Sequence, residues 1–152
     1  MAASRESMSI EERLNKPYWI VDPLPKKVPA NGEGQFFKVE QYLLTEILLL
    51  RKKYVQVLLK LNCYYDIMVS HDGENWLSNP EPEILEERVG ACVSANPSES
   101  FFYVSLMSDT VLMVMERDCI SMTVYNPADD LLELIRLLAN SEGLFVWKPS
   151  NG

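Results

Sequence analysis

Chemically reactive side chains are few in this chain, and their spacing matches no familiar catalytic pattern. His71 is the only histidine, so any mechanism pairing histidine with cysteine or serine must use it. Cys63 lies earlier on the strand predicted for this segment, roughly 26 Å away if the strand is continuous. Cys92 and Cys119 can approach His71 only through tertiary folding. We therefore predict no catalytic residue and interpret His71 as a solvated histidine at a turn.

The three cysteines, Cys63, Cys92 and Cys119, are an odd number without metal-ligand spacing. Each lies among apolar neighbours, which predicts reduced core residues of a cytosolic protein. No glycine pattern that cradles phosphate is present, and the acidic run over residues 81–87 is typical of a solvated helix face. The sequence thus predicts neither a metal site nor a cofactor.

The segment Ser70-His71-Asp72-Gly73-Glu74-Asn75-Trp76 resembles a shortened Asp-box, the Ser-x-Asp-x-Gly-x-Thr-Trp turn of sialidase propellers. One residue is missing after Asp72, and Asn75 stands where the box has threonine. The resemblance is limited to these seven residues and occurs once in the chain. It therefore implies a folded turn and does not imply a propeller. We expect Asp72 to accept backbone N–H bonds, Gly73 to take a positive φ and Trp76 to pack back on the hairpin.

Composition narrows the classes of protein to which this chain can belong. With 152 residues, 47% of them hydrophobic, it is long enough to form a single domain over 1–152 with its own core. The net charge of -8 argues against binding to nucleic acid or to an anionic membrane. No signal sequence and no apolar run of about 18 to 20 residues is present, so we expect a cytoplasmic protein.

Residues 101–125 read as three strands joined by two tight turns. Two-residue turns at 108–109 and 117–118 would set these residues opposite each other: Leu106 and Val111, Val104 and Met113, Phe102 and Met115, then Met115 and Ile120, Met113 and Met122, Val111 and Val124. One face of this meander is then entirely apolar and forms a core. A four-residue loop would keep the same residues on the same face, so the parity is better supported than the turn type.

The opposite face of the meander is here called the mixed face. Its residues alternate along each strand with those of the core face, and they include both aromatic and polar side chains. The residues of this face that we predict to bind a partner are Tyr103, Leu112, Val114 and Tyr125. Two interpretations stay open: a helix of the same chain covers part of this face, or the face binds a partner or a second copy.

The remaining segments complete an α+β fold with a mainly antiparallel sheet and three or four helices packed on it. Helices are predicted from the capping box at Ser9, over 45–61, over 81–93 and after Asn126. Strands are predicted over 18–21, 36–44, 63–70 and 144–147, with a helix as the alternative for 36–44. Residues 1–7 are expected to be disordered, and 22–35 to form a long loop rich in proline and glycine.

Two functions from different classes fit these features. The first is a small acidic, non-enzymatic cytosolic module that binds another protein or itself as a homodimer. The second is an enzyme or small-ligand sensor whose pocket lies near His71, Asp72 and the 22–35 loop. The missing catalytic pattern and the mixed face favour the first.

Overall fold

A computed structural model describes residues 8–29, 32–92, 101–116 and 121–149, with the side chains of 91, 92 and 116 left aside. Residues 1–7, Cys119 and Ile120, for which the sequence made predictions, lie outside these ranges. Its elements follow the order α1 (Ile10–Leu14), β1 (Tyr18–Asp22), α2 (Gln35–Thr45), α3 (Ile47–Asn62), β2 (Met68–Ser70), β3 (Leu77–Ser78), α4 (Pro82–Cys92), β4 (Phe101–Leu106), β5 (Val111–Glu116), β6 (Met122–Tyr125), α5 (Asp129–Ser141) and β7 (Phe145–Trp147).

The seven strands form one antiparallel sheet in the order β3-β2-β4-β5-β6-β1-β7. The predicted α+β class is confirmed, with five helices in the described residues. The meander is its centre, β4-β5-β6. The sheet as a whole is not a simple meander, because β1 and β7 join beside β6 while β2 and β3 join beside β4.

The register of the first hairpin is confirmed, with Leu106 opposite Val111 and Val104 opposite Met113. The two-residue turn predicted for it is wrong: the strands are joined by residues 107–110, and Met107, Ser108 and Asp109 all have positive φ. This longer loop keeps the parity of the hairpin, so no side chain changes face.

The second hairpin is displaced by two residues from the prediction. Met115 pairs with Met122 instead of Ile120, and Met113 pairs with Val124 instead of Met122. Because the displacement is an even number, the same side chains still face the core. The correction therefore concerns the length of the connection and leaves the core face unchanged.

The core lies between the apolar face of the sheet and helices α3, α4 and α5. The meander supplies fully or almost fully buried side chains: Phe102, Val104, Leu106, Val111, Met113, Met115, Met122 and Val124. The helices contribute Leu50, Tyr54, Val55, Val57, Leu58, Leu61, Leu85, Val89, Leu131, Ile135 and Ala139. The predicted apolar faces of the helices over 45–61 and after Asn126 are thus the ones that pack here.

Helix α1 packs on the mixed face of the sheet. Its start is fixed by the predicted capping box: the Ser9 hydroxyl accepts the backbone N–H of Glu12, and the Glu12 carboxylate accepts that of Ser9. From the next turn, buried Arg13 donates through Nη1 to Ser105 Oγ at 2.6 Å and to the Val111 carbonyl at 3.1 Å. A helix of the same chain therefore covers part of the mixed face.

One predicted strand is wrong, and a second begins later than predicted. Residues 36–44 form helix α2, the alternative that the sequence had left open, because Phe36, Val39 and Leu43 recur at helical spacing. The strand expected from Cys63 begins only at Met68, since α3 continues to Asn62 and a turn follows. Alternation of side chains over 63–70 therefore indicates a strand correctly only from Met68, and residues 63–67 form the helix end and the turn.

Candidate functional site

The turn at 70–76 folds as its sequence predicts. Asp72 Oδ1 accepts the backbone N–H groups of Glu74 and Asn75, both at 2.8 Å. Gly73 has a φ of 77°, and the Trp76 indole donates to the Gly73 carbonyl. The two backbone bonds, that of Asn75 first, lower the pKa of Asp72 well below its ordinary value. This carboxylate is thus occupied in holding a turn, which leaves it poorly suited to be a general base.

His71 is held by backbone and by an aromatic ring. Its Nδ1 lies 3.0 Å from the Phe101 carbonyl, so Nδ1 carries the proton and donates. The ring meets Phe102 edge to face, with centroids 5.3 Å apart. Its Nε2 is buried and has no hydrogen-bond partner in the described part of the chain. Among the described residues, these contacts place no nucleophile beside His71. They are the contacts of a packed side chain, which corrects the interpretation of His71 as a solvated histidine.

The pocket foreseen near both His71 and the 22–35 loop is divided between two places. Strands β4, β5 and β6 separate β2, which precedes His71, from β1, which leads into the loop, a spacing of roughly 19 Å across the sheet. Asp72 lines a cleft of about 490 Å³ beside α1, whereas the loop lines another cavity. Within the described residues, these groups do not share one site.

The loop cavity, here called the loop cleft, lies between residues 22–29, the start of α2 and Trp147. Its volume is about 790 Å³, and the side chains that line it are mainly apolar: Leu24, Val28, Pro29, Phe36, Phe37 and Trp147, with Asp22, Lys26 and Lys27. Burial raises the pKa of Asp22, and the backbone N–H of Leu24 partly opposes this. The Trp147 indole N–H is buried without an acceptor in the described residues.

Of the four residues predicted to bind a partner, two are accessible. Leu112 is completely buried and Val114 is 8% exposed within the single chain. Tyr103 is half-buried and lines the cleft beside α1, where burial raises the pKa of its phenol. Tyr125 is half-buried against Tyr18, with ring centroids 5.5 Å apart. Binding of a partner at these residues stays a prediction.

In the described residues, the largest set of exposed apolar side chains lies on α2 and the first turn of α3. Six side chains in this short stretch are 44% to 68% exposed: Phe36, Phe37, Val39, Tyr42, Leu48 and Leu49. We call this set the α2 surface. Single exposed apolar residues are normal, but a concentration of them in one short segment is typical of interaction sites in soluble proteins.

Helix α2 has little of its own to stabilise it. None of its residues is buried, its N-cap Gly34 makes no side-chain hydrogen bond, and neither end carries charges that suit the helix dipole. A helix of 11 residues is marginal in water unless an apolar face is packed against something. The α2 surface therefore belongs to a helix whose own chain supplies little of that packing.

Sequence reasoning missed the α2 surface because it assigned 36–44 to a strand and 45–61 to a buried helix. A signal was present in the run Leu43, Leu44, Ile47, Leu48, Leu49 and Leu50. On a helix these residues point in almost every direction, so one core cannot cover all of them. The apolar side chains that the core cannot cover had to be exposed or to contact another molecule.

Cys63 is a free thiol, but it is exposed, which corrects its predicted place in the core. It caps the C-terminal end of α3, and its sulfur lies 3.6 Å from the Leu59 carbonyl. The side chains of Cys92 and Cys119 lie outside the described residues. Within those residues, no group of histidine, cysteine and acidic side chains could hold a metal ion.

No helix in the described ranges combines the length and the apolar character needed to cross a membrane. Comparison with known proteins finds no matching family model, no matching curated protein and no matching solved structure.

Proposed function

We propose that this chain is a non-enzymatic, cytoplasmic protein-binding module that binds through the α2 surface. The observation that carries the proposal is that α2 holds six apolar or aromatic side chains, Phe36, Phe37, Val39, Tyr42, Leu43 and Leu44, and buries none of them fully. A bound protein would supply the packing that α2 lacks.

The chemistry of the surface supports a protein partner. Aromatic side chains are enriched at the centres of protein interfaces, where they contribute large apolar area at a small cost in conformational entropy. Phe37 and Tyr42 are the most exposed aromatic side chains of α2, at 63% and 68%. They are accessible to a partner without any rearrangement of the core, in contrast to Leu112 and Val114 on the mixed face.

Site-specific photocrosslinking in living cells tests this proposal. A photoreactive phenylalanine analogue replaces Tyr42 in one variant and Tyr64 in another. Tyr64 is the matched control, because it is equally exposed at 68% but lies in the turn after α3. We expect discrete covalent protein adducts at position 42, lost on addition of Phe37→Lys and Leu49→Lys, and no such adducts at position 64. The same adduct pattern at both positions, or none at either, would contradict the proposal.

A second candidate function, sensing of a small apolar ligand, is favoured by the loop cleft. Its volume of about 790 Å³ and its apolar lining are typical of small-molecule sites, and Lys26 and Lys27 would favour an anionic group on the ligand. The cleft shares Phe36 and Phe37 with the α2 surface, so an anilinonaphthalene sulfonate probe distinguishes the two through variants at positions that they do not share. Saturable binding lost in Val28→Asp but kept in Tyr42→Lys supports the cleft, whereas the reverse pattern assigns the probe to the α2 surface.

A further inference from the structure

The charges along α2 are arranged so that a second copy of the chain would complement them. Tyr42 lies at the middle of the exposed side of the helix. Lys38 lies one turn before it on α2, and Glu46, the C-cap residue that follows α2, lies one turn after it, each about 6 Å along the axis. Both charged residues are exposed, and neither forms an ion pair within the described part of the chain.

If two copies of α2 meet antiparallel with their Tyr42 residues opposite each other, Lys38 of each copy faces Glu46 of the other. A parallel arrangement would place like charges together instead. A two-fold axis through such a contact is the commonest symmetry of protein dimers, and it uses one surface twice. The antiparallel arrangement therefore converts a single pair of unpaired charges into two ion pairs that set its direction.

Part of the α2 surface can serve a dimer. A fully exposed aromatic side chain presents about 200 Å², so the six side chains of the surface leave on the order of 600 Å² open to water. At about 100° per residue, Val39 lies on the same side of α2 as Tyr42, whereas Phe36 and Phe37 lie roughly 120° and 140° around the helix from Tyr42 and line the loop cleft. A standard interface buries about 800 Å² on each partner, so Tyr42 and Val39 provide part of its apolar area and the flanking charges provide part of its polar rim.

We propose that the partner of the α2 surface is a second copy of this chain, joined in an antiparallel α2–α2 dimer in which Lys38 pairs with Glu46 of the other copy. This inference rests on the proposed function, because it names the protein that the same surface binds.

Charge reversal at these two positions tests the inference. The wild type, Lys38→Glu, Glu46→Lys and the double variant carrying both changes are compared by light scattering over a range of concentrations. We expect a dimer for the wild type, dissociation constants raised tenfold or more for each single variant, and recovery in the double variant, where the ion pairs form with reversed sign. Lys52→Glu is the control for Lys38→Glu: this exposed α3 residue gives the same change in net charge as Lys38→Glu and should leave the dimer intact.

A monomeric wild type at every concentration would overturn the inference, as would single variants that dimerise as tightly as the wild type. These outcomes remain distinct from failure of the proposed function. If the wild type is monomeric but Tyr42 crosslinks to a different protein, the α2 surface still binds protein and only the identity of its partner is wrong. Because both substitutions are at exposed positions, circular dichroism should show that all variants are folded.

Discussion

The guanidinium of Arg13 donates a 2.6 Å hydrogen bond to the hydroxyl of Ser105, which joins the first helix to the centre of the sheet. The same nitrogen donates to the Val111 carbonyl, and Ser105 in turn donates to Asp109 Oδ1 at 2.6 Å. Burial lowers the pKa of Arg13, and the charge of Asp109 opposes that shift. Through this network a five-residue helix, too short to be stable alone, is held on the mixed face.

We expect Arg13→Met to destabilise the fold by about 1–3 kcal/mol, because it removes two buried hydrogen bonds while keeping a stem of similar length. Urea unfolding measures the loss. Arg88→Met is the control on an exposed position of α4 and should change the free energy of unfolding by less than about 0.5 kcal/mol. Equal effects of the two substitutions would show that the Arg13 network does not hold α1.

The two faces of the meander should respond differently to a buried charge. Met113 is fully buried on the core face, whereas Thr123 is half-buried on the mixed face of the neighbouring strand. We expect Met113→Asp to cost several kcal/mol and Thr123→Asp to cost much less. Thermal unfolding of both variants checks this, and similar losses of stability would count against the assignment of the faces.

Parity explains why the meander was predictable while its loops were not. Alternation of apolar residues decides which side chains face the core. A displacement of two residues in the pairing leaves that alternation intact, as where Met115 pairs with Met122 instead of Ile120. The φ angles of Met107, Ser108 and Asp109 depend on the local turn and have no comparable signal in the letters. The capping box at Ser9 and the positive φ of Gly73 were predictable because each rests on neighbouring residues alone.

The site was less predictable than the fold, since exposure depends on what the rest of the chain leaves uncovered. Leu112 and Val114 looked accessible because strand alternation cannot show that the chain itself buries them. Conversely, Phe37 and Tyr42 were assigned to a strand, where half of the side chains would have been expected to face inward. The burial of Leu112 and Val114 and the exposure of Phe37 and Tyr42 both depend on how segments distant in the sequence pack against one another.

The turn at 70–76 predicts a specific dependence of stability on pH. The folded pKa of Asp72 lies below the ordinary 3.8, so its contribution is fully present above that value and is lost as the pH falls through the folded pKa. The stability gap between wild type and Asp72→Asn should therefore be constant above roughly pH 5 and narrow at lower pH. Glu83→Gln, a substitution at an exposed position of α4, is the control for the change in net charge. A stability difference between wild type and Asp72→Asn that does not depend on pH would contradict the prediction.

Cysteine reactivity should follow exposure. In the native protein Cys63 should react with a thiol reagent without unfolding, because it is a free and exposed thiol. After unfolding, alkylation without prior reduction should label all three cysteines, as expected if none is in a disulfide. Mass spectrometry gives both results, with Cys63→Ser as the control for the early label. A mass two daltons low, or bound zinc, would contradict this prediction.

Hydrogen exchange of the α2 backbone is the most direct test of the claim that α2 acquires its packing from a bound protein. In dilute monomer the amides of Gln35–Thr45 should exchange much faster than those of α3, because no residue of α2 is buried. When the complex forms, whether by raising the concentration of the chain or by adding a partner identified by crosslinking, exchange in α2 should slow tenfold or more. Amides in α2 that are as protected as those of α3 in the dilute monomer, and that do not change in the complex, would contradict the account.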